Sequence, residues 1–171
     1  MKTLLIAAAL LVPGTAWGAT GDIGCIEAKL GPVAMQRIGD GVVAAANDGT
    51  DPARTLDADR ETLIAARDAC RAANAWSPDA VQAAVSYTQG RATRLGAESA
   101  LKADGLDAAT LAAGYAAMPV ADRKSLIAKA SAGALRAVTT AGASPPQRRH
   151  VLLYFAALAA IEFYPADFAA A

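Results

Sequence analysis

Between its proline and glycine breaks, the chain repeatedly places apolar residues three or four positions apart, and this spacing is the strongest constraint on its fold. Such a period puts the apolar side chains on one face of an α-helix. Alanine, the best intrinsic helix former, makes up roughly a quarter of the residues. Apolar and polar residues nowhere alternate over the length of a strand. We therefore predict an all-α fold, a single-domain helical bundle of about six or seven helices.

The first eighteen residues have the order of a secretory signal peptide. Lys2 precedes an apolar run from Leu4 to Val12, and the stretch ends in Ala16, Trp17 and Gly18. Signal peptidases require small side chains three residues and one residue before the cut, which predicts cleavage after Gly18, with cleavage after Ala16 as the nearest alternative. The apolar run is too short to cross about 30 Å of hydrocarbon as a membrane anchor.

Residues 19–171 then form the mature all-helical domain, which we expect to be periplasmic or secreted. No cysteine directly follows the apolar run, so we expect no lipid anchor. Of the 16 basic and 16 acidic side chains, only Lys2 lies in the signal peptide. Because this charge is nearly balanced, it predicts neither nucleic acid nor an anionic membrane surface as a partner. After signal cleavage we expect no stable membrane insertion.

The mature chain has two cysteines, Cys25 and Cys70, which is an even count in a compartment that permits oxidation. We predict a disulfide between them. Closing a loop of this length stabilises a fold by roughly 4 kcal/mol, because the unfolded chain loses entropy. Two reduced, buried thiols are the alternative if the chain is not exported. A redox-active pair is less favoured, because the Cys-x-x-Cys arrangement is missing.

Start and stop signals divide the chain into helical segments. Gly31-Pro32 separates the first two, and Gly39 and Gly41 predict a bend or a close helix contact in the second. Ser77-Pro78 and Asp107 are N-cap signals, and Ser144 to Gln147 reads as a capping box. The predicted helices cover residues 22–30, about 33–47, about 58–75, 78–103, 108–118, about 121–140 and about 145–164.

The last segment, residues 151–163, is apolar nearly all round, so we predict it to be the central buried helix of the bundle. It is too short to be a convincing membrane span. Glu162 is its one carboxylate. If buried, Glu162 would either pair with an arginine such as Arg67 or Arg136 or tend to hold its proton. We favour a position of Glu162 on the single solvent-exposed strip (the wet strip) of the helix. Six aromatic residues are assigned to the core: Trp76, Tyr115, Tyr154, Phe155, Phe163 and Tyr164.

His150 is the only histidine and hence the one candidate imidazole base. It follows Arg148 and Arg149 in the first turn of the last predicted helix, where two guanidinium groups and unpaired amide groups could hold a phosphate or carboxylate. No Gly-x-Ser-x-Gly elbow stands beside it. His150 and Glu162 are therefore only weak catalytic candidates, and Arg148 and Arg149 only weak ligand-binding candidates. We favour solvated or boundary positions for them.

Acidic residues gather in and around a polar loop before the third predicted helix. Asp48, Asp51, Asp57 and Asp59 are weak candidates for calcium ligands, but their spacing departs from that of an EF-hand. Carboxylates also favour the positive end of a helix, which explains them without a metal. One histidine and two bridged cysteines leave few ligands for zinc. We predict no metal and no cofactor.

No set of residues at a meaningful spacing identifies an activity. The leading hypothesis is a non-enzymatic, exported binding or interaction module with a protein or small-molecule partner. A periplasmic stress holdase is one alternative. The others are a small enzyme that uses His150 with Arg148 or Arg149, and a bundle that binds a ligand in an apolar pocket beside the last helix.

Overall fold

The computed structural model describes residues 18–50, 57–128 and 144–171. Within these ranges the regular structure is helical throughout and contains no strand, which confirms the predicted all-α fold. The predicted signal peptide lies outside the described residues except for Gly18. The helices are α1 (Cys25–Asp48), α2 (Asp57–Asn74), α3 (Pro78–Ala103), α4 (Ala108–Ala116), α5 (Val120–Ser125) and α6 (Pro145–Ala170).

α3 is the central helix of the described part of the chain. The two most extensive helix–helix contacts are those that α3 makes with α6 and with α1. α2 and α4 also contact α3. The prediction that the last helix is central is therefore wrong. α6 buries side chains such as Val151, Phe155 and Phe168, but its other faces are only half-buried or exposed. Because many of its residues are alanines, the apolar composition of this helix does not require burial on every side.

Glycines let the backbones of α1 and α3 come into direct contact. A Cβ atom built on Gly39 would lie 2.1 Å from the carbonyl oxygen of Ala92, and one on Gly96 would lie 2.3 Å from that of Gly39. Real Cβ atoms never come so close, so the two helices can cross here only because both positions are glycine. The close helix contact predicted at Gly39 is confirmed.

The predicted break at Gly31-Pro32 is a kink inside one long helix. Gly31 has φ 72° and ψ 169°, a backbone conformation that only glycine adopts readily. Proline at position 32 has no N–H group, so the carbonyl of Ala28 lacks its normal helical donor. α1 begins at Cys25, three residues after the predicted start at Asp22.

A disulfide joins Cys25, at the start of α1, to Cys70, near the end of α2. The Cα atoms are 6.0 Å apart, and Cys70 is fully buried. This confirms the predicted bridge between the first helix and the third predicted segment. One core cluster surrounds it and contains Ile26, Trp76 and Phe168. A second core cluster joins α3, α4 and α6 and contains Leu101, Leu111, Tyr115, Val151, Tyr154 and Phe155.

The predicted N-caps of α3 and α4 are confirmed. The Ser77 hydroxyl accepts a hydrogen bond from the Ala80 N–H at 3.0 Å, and the Asp107 carboxylate accepts one from the Thr110 N–H at 2.9 Å. α3 ends at Ala103 with Asp104 as its C-cap, and Gly105 follows with a positive φ of 74°. Local hydrogen bonding therefore sets both ends of the short connection between α3 and α4.

The last two helices depart from the predicted bounds. α5 ends at Ser125, followed by a turn, where the sequence predicts a helix to about residue 140; the part from 129 onward lies outside the described residues. α6 begins at the predicted capping box, in which Gln147 Oε1 accepts from the Ser144 N–H at 2.8 Å. It continues past the predicted end near residue 164 as far as Ala170, because Pro165 is accommodated inside the helix.

With this extra length, α6 is long and apolar enough to cross a membrane, judged by length and composition alone. The prediction that it is too short for a span does not hold for the complete helix. One third (33%) of the apolar stretch is buried in the bundle. A core helix of a water-soluble bundle meets the same criterion.

Candidate functional site

A groove of about 510 Å³ lies between the kinked part of α1 and the middle of α3. Its existence follows from the kink. At Gly31 the first turns of α1 change direction, and the two parts of the helix no longer present one continuous surface to α3. The volume is in the range of sites that hold small ligands or single anchoring side chains. It is lined by Glu27, Ala28, Gly31, Pro32, Met35, Arg91, Arg94, Leu95 and Glu98.

The floor of the groove is apolar. Met35 is 2% exposed and contacts the small core cluster of Ile38 and Ala92, with Leu95 packed beside it. Ala28 lies at the mouth, exposed to solvent. Val33, next to Pro32, is the most exposed of the large apolar residues described, at 74%.

Two ion pairs form the walls of the groove. Arg91 on α3 contacts both carboxylate oxygens of Glu27 on α1, each at 3.0 Å. Arg94 contacts Glu98 one turn further along α3 at 2.7 Å. The Glu27 hydrogen bond is the main cause that raises the pKa of Arg91. Because each charge has a partner, the groove has walls of both signs and no excess charge.

His150 lies at a junction of three helix ends. Its Nδ1 is 2.7 Å from the carboxylate of Asp104, the C-cap of α3, and its Nε2 is 3.0 Å from Oδ1 of Asn47, near the end of α1. Gln147 adds a bond to the Asp104 carbonyl at 2.9 Å. Both ring nitrogens of His150 are engaged, so the geometry suits a structural connection more than proton transfer to a substrate.

The two arginines beside His150 do not form a clamp with it. Arg148 is exposed. Arg149 Nη1 donates to the carbonyl of Asn47 at 2.8 Å, and the residue borders a shallow apolar cavity of about 220 Å³ with Leu152 and Leu153. The structure therefore ties Arg149 to the same helix junction and leaves Arg148 on the surface.

Glu162 is paired with Arg123 and not with the predicted Arg67; the other predicted partner, Arg136, lies outside the described residues. Arg123 Nη2 lies 2.8 Å from Glu162 Oε1, and the Tyr115 hydroxyl donates to Oε2 at 2.6 Å. Arg123 also donates to the carbonyls of Ala116, the last residue of α4, and of Met118 just beyond it. The Glu162 side chain is one third (33%) exposed, so the predicted wet strip and the predicted ion pair occur together. This cluster joins α4 and α5 to α6.

The acidic candidates do not converge in the described residues. Asp48 is exposed at the end of α1, Asp57 begins α2, and Asp51 lies outside the described residues. The Asp59 carboxylate is buried against Arg37 of α1, whose hydrogen bonds lower its pKa. Across residues 18–50, 57–128 and 144–171, no group of three or more histidine, cysteine or acidic side chains is placed to hold a metal ion.

Comparison with known proteins found no match. No family model fits the sequence, and no curated protein or solved structure is similar to it. The structure itself is therefore the basis for any functional proposal.

Sequence reasoning missed the groove, although one signal was present. Gly31-Pro32 reads as the end of a helix, and a helix that resumes at once after such a pair has a kink that opens space beside it. The Arg94–Glu98 pair was readable from its spacing of four residues. The Arg91–Glu27 pair joins residues 64 positions apart, so only the packing of α1 on α3 creates it.

Proposed function

We propose that this chain is an exported, non-catalytic binding protein that holds a segment of a partner protein in the groove between α1 and α3. The observation that carries the proposal is the groove itself, an apolar floor between two charged walls on an otherwise close-packed pair of helices. A non-catalytic role fits the positions of His150 and Glu162, whose polar atoms bind neighbouring helices.

The chemistry of the groove favours an apolar side chain of a protein segment over a small charged metabolite. Arg91 and Glu27 already neutralise each other, as do Arg94 and Glu98, so an ion would have to displace a bound partner. An apolar anchor on the floor needs no such displacement. Polar groups of the partner on either side of this anchor can then bind to positive or negative side chains on the walls.

The disulfide supports the export part of the proposal. Structural disulfides persist mainly in oxidising compartments such as the periplasm and the extracellular space. The Cys25–Cys70 bridge joins two helices within a core cluster, which is where a structural disulfide is expected. The order of residues in the predicted signal peptide supports the same compartment.

Site-specific photocrosslinking in the producing cells tests the groove. A benzophenone amino acid in place of Val33, the exposed residue next to Pro32 of the groove lining, is expected to give a discrete adduct with a partner protein. The matched control places the same group at Val120 on α5, which is also exposed, at 58%. Equal adducts at both positions, or none at Val33, would count against the groove as a docking site.

Affinity for the captured partner gives the second measurement. Ala28→Trp fills the mouth of the groove from an exposed position, and Ala44→Trp adds the same side chain at an exposed position of α1 that does not line it. We expect Ala28→Trp to weaken binding at least about tenfold and Ala44→Trp by less than about twofold. Equal affinities for the two variants would exclude the groove. Broad suppression of client aggregation without a discrete partner would favour the holdase alternative.

A further inference from the structure

The short segment before α1 is built into the core. The carbonyl of Thr20 accepts a hydrogen bond from the buried indole of Trp76 at 2.7 Å, and the Thr20 hydroxyl donates to the carbonyl of Asn74 at 2.8 Å. Ala19 packs against the core cluster that contains Phe168. Residues 19 and 20 thus have fixed positions beside the ends of α2 and α6.

This segment passes directly beside the C-terminal end of α6. A Cβ atom built on Gly18 would lie 2.7 Å from the carbonyl oxygen of Ala169, and α6 ends at Ala170. The Ala19 nitrogen is two covalent bonds from the Gly18 Cα, so it lies within about 7 Å of that oxygen. The last carbonyls of a helix lack helical donors and carry partial negative charge, which favours a cation nearby.

We propose that cleavage after Gly18 creates an ammonium group at Ala19 that caps the C-terminal end of α6, so that removal of the signal peptide itself stabilises the mature fold. The inference rests on the export part of the proposed function. A signal peptidase adds water across the Gly18–Ala19 peptide bond. The carbonyl carbon of Gly18 gains the oxygen and becomes a carboxylate, and the nitrogen of Ala19 becomes the ammonium.

The surrounding charges favour this cation. The charged side chains near the ends of the elements that pack here are Asp22 in the same segment, Asp79 in the first turn of α3, Asp167 in the last turn of α6 and Arg71 in the last turn of α2. All four are exposed, and three of them are acidic. The uncleaved chain has only a neutral amide at Ala19, so the attraction appears on cleavage.

Three forms of the disulfide-bonded protein test the proposal. The first begins at Ala19 with a free amine, the second is the same chain acetylated at that amine, and the third has Gly-Ser-Gly before Ala19. The extension keeps a free amine but moves it about 10 Å along the chain. At pH 6.5 the first form is expected to have an unfolding equilibrium constant about two- to fivefold smaller than the other two.

The difference is expected to vanish at pH 10, because α-amino groups lose their proton near pH 8. Equal stability of the three forms at pH 6.5 would overturn the proposal. N-terminal sequencing of the protein from the producing cells separates this result from a failure of export. An intact Met1 would refute export, whereas a mature chain that begins at Trp17 would keep export and refute the cap. An Ala19 start with equal stabilities would refute the cap alone.

Discussion

At the scale of single residues, glycines decide how closely α1 can approach α3. Gly39 and Gly96 face each other at the crossing, and each occupies space that a Cβ atom would need. Alanine and glycine dominate this contact, so its stability comes from backbone approach and many short contacts more than from large side chains. A single added methyl group is then enough to separate the helices.

Gly39→Ala is expected to lower the free energy of unfolding by about 3 kcal/mol, because the new Cβ would overlap the carbonyl of Ala92. Gly114→Ala on α4 is the matched control. A Cβ atom there meets nothing within 4 Å, and a helical alanine is preferred over glycine by up to about 1 kcal/mol. Urea unfolding of both variants measures the difference. If the Gly39→Ala variant were as stable as the Gly114→Ala variant, the close crossing of α1 and α3 would be contradicted.

Tyr115 is expected to make the protein labile in alkali. Burial and the hydrogen bond to Glu162 raise its pKa well above the ordinary value of 10.0. The folded state therefore favours the protonated phenol, and this stability is present below pH 10 and lost as the pH rises through the raised pKa. Tyr115→Phe should remove part of the alkaline loss while costing about 1 kcal/mol at pH 7.

Thermal unfolding between pH 8 and 11 measures this effect. Tyr87→Phe, at a half-buried position of α3, is the matched control for removing a tyrosine hydroxyl outside the Glu162 cluster. Burial also raises the pKa of Tyr154, so some alkaline loss remains in Tyr115→Phe. An unchanged slope in the Tyr115 variant would show that the Glu162 cluster does not contribute.

At the scale of elements, the kink in α1 and the junction at the start of α6 matter most. The kink opens the groove, and the junction fixes α6 to the ends of α1 and α3. Each of these two features depends on a single residue. Gly31 supplies a backbone conformation, and His150 connects two other helices through its two ring nitrogens.

Gly31→Ala is expected to destabilise the protein by about 2–3 kcal/mol, because its φ and ψ lie in a region almost restricted to glycine. Gly49→Ala should cost only about 1 kcal/mol, since Gly49 at φ 66° and ψ 23° is in the left-handed helical region that other residues visit. A Cβ atom meets nothing within 4 Å at either site, so the comparison isolates backbone strain. Chemical denaturation would contradict the kink geometry if the order were reversed.

His150→Ala is expected to lower the free energy of unfolding by about 1–3 kcal/mol, since it leaves the side chains of Asp104 and Asn47 without their shared partner. Arg148→Ala, two residues away and exposed, should change it by less than about 0.5 kcal/mol. Urea midpoints at pH 7 provide the comparison. If the arginine variant lost as much stability as the histidine variant, His150 would not be the connecting residue.

At the scale of the whole molecule, the disulfide and α3 hold the parts together. The bridge fastens α1 to α2 at one end of the bundle, and the buried Asp59 adds a polar contact from α2 to Arg37 of α1. α2 has only limited contact with α3. The position of α2 therefore depends on these two connections to α1 more than on burial in the centre.

Replacing both cysteines with serine is expected to cost about 4 kcal/mol of stability, the entropy regained by an unfolded chain released from a loop that spans 45 positions. The wild-type protein measured with reductant should approach the stability of the double variant, and the variant itself should not respond to reductant. A loss below about 1 kcal/mol would show that α2 is held by its other contacts.

Much of this fold was predictable because helix signals are local. Ser77, Asp107 and the Ser144 box each bond to a group within three residues, and the sequence alone located them. The disulfide followed from counting, since two cysteines allow only one internal pair. The end of α6 was not predictable by the same means, because Pro165 and the packing of Phe168 compete and the packing prevails.

The sequence by itself determined the helical class, the caps, the break at Gly31-Pro32 and the partner of Cys25. Only the tertiary structure decided that α3 is central, that Arg123 is the partner of Glu162, and that Arg91 meets Glu27 across a groove. The physical reason is that alanine-rich helices present several similar faces of small side chains. The spacing of apolar residues therefore does not determine which face of a helix is buried. The positions of glycines that permit close backbone contact determine it.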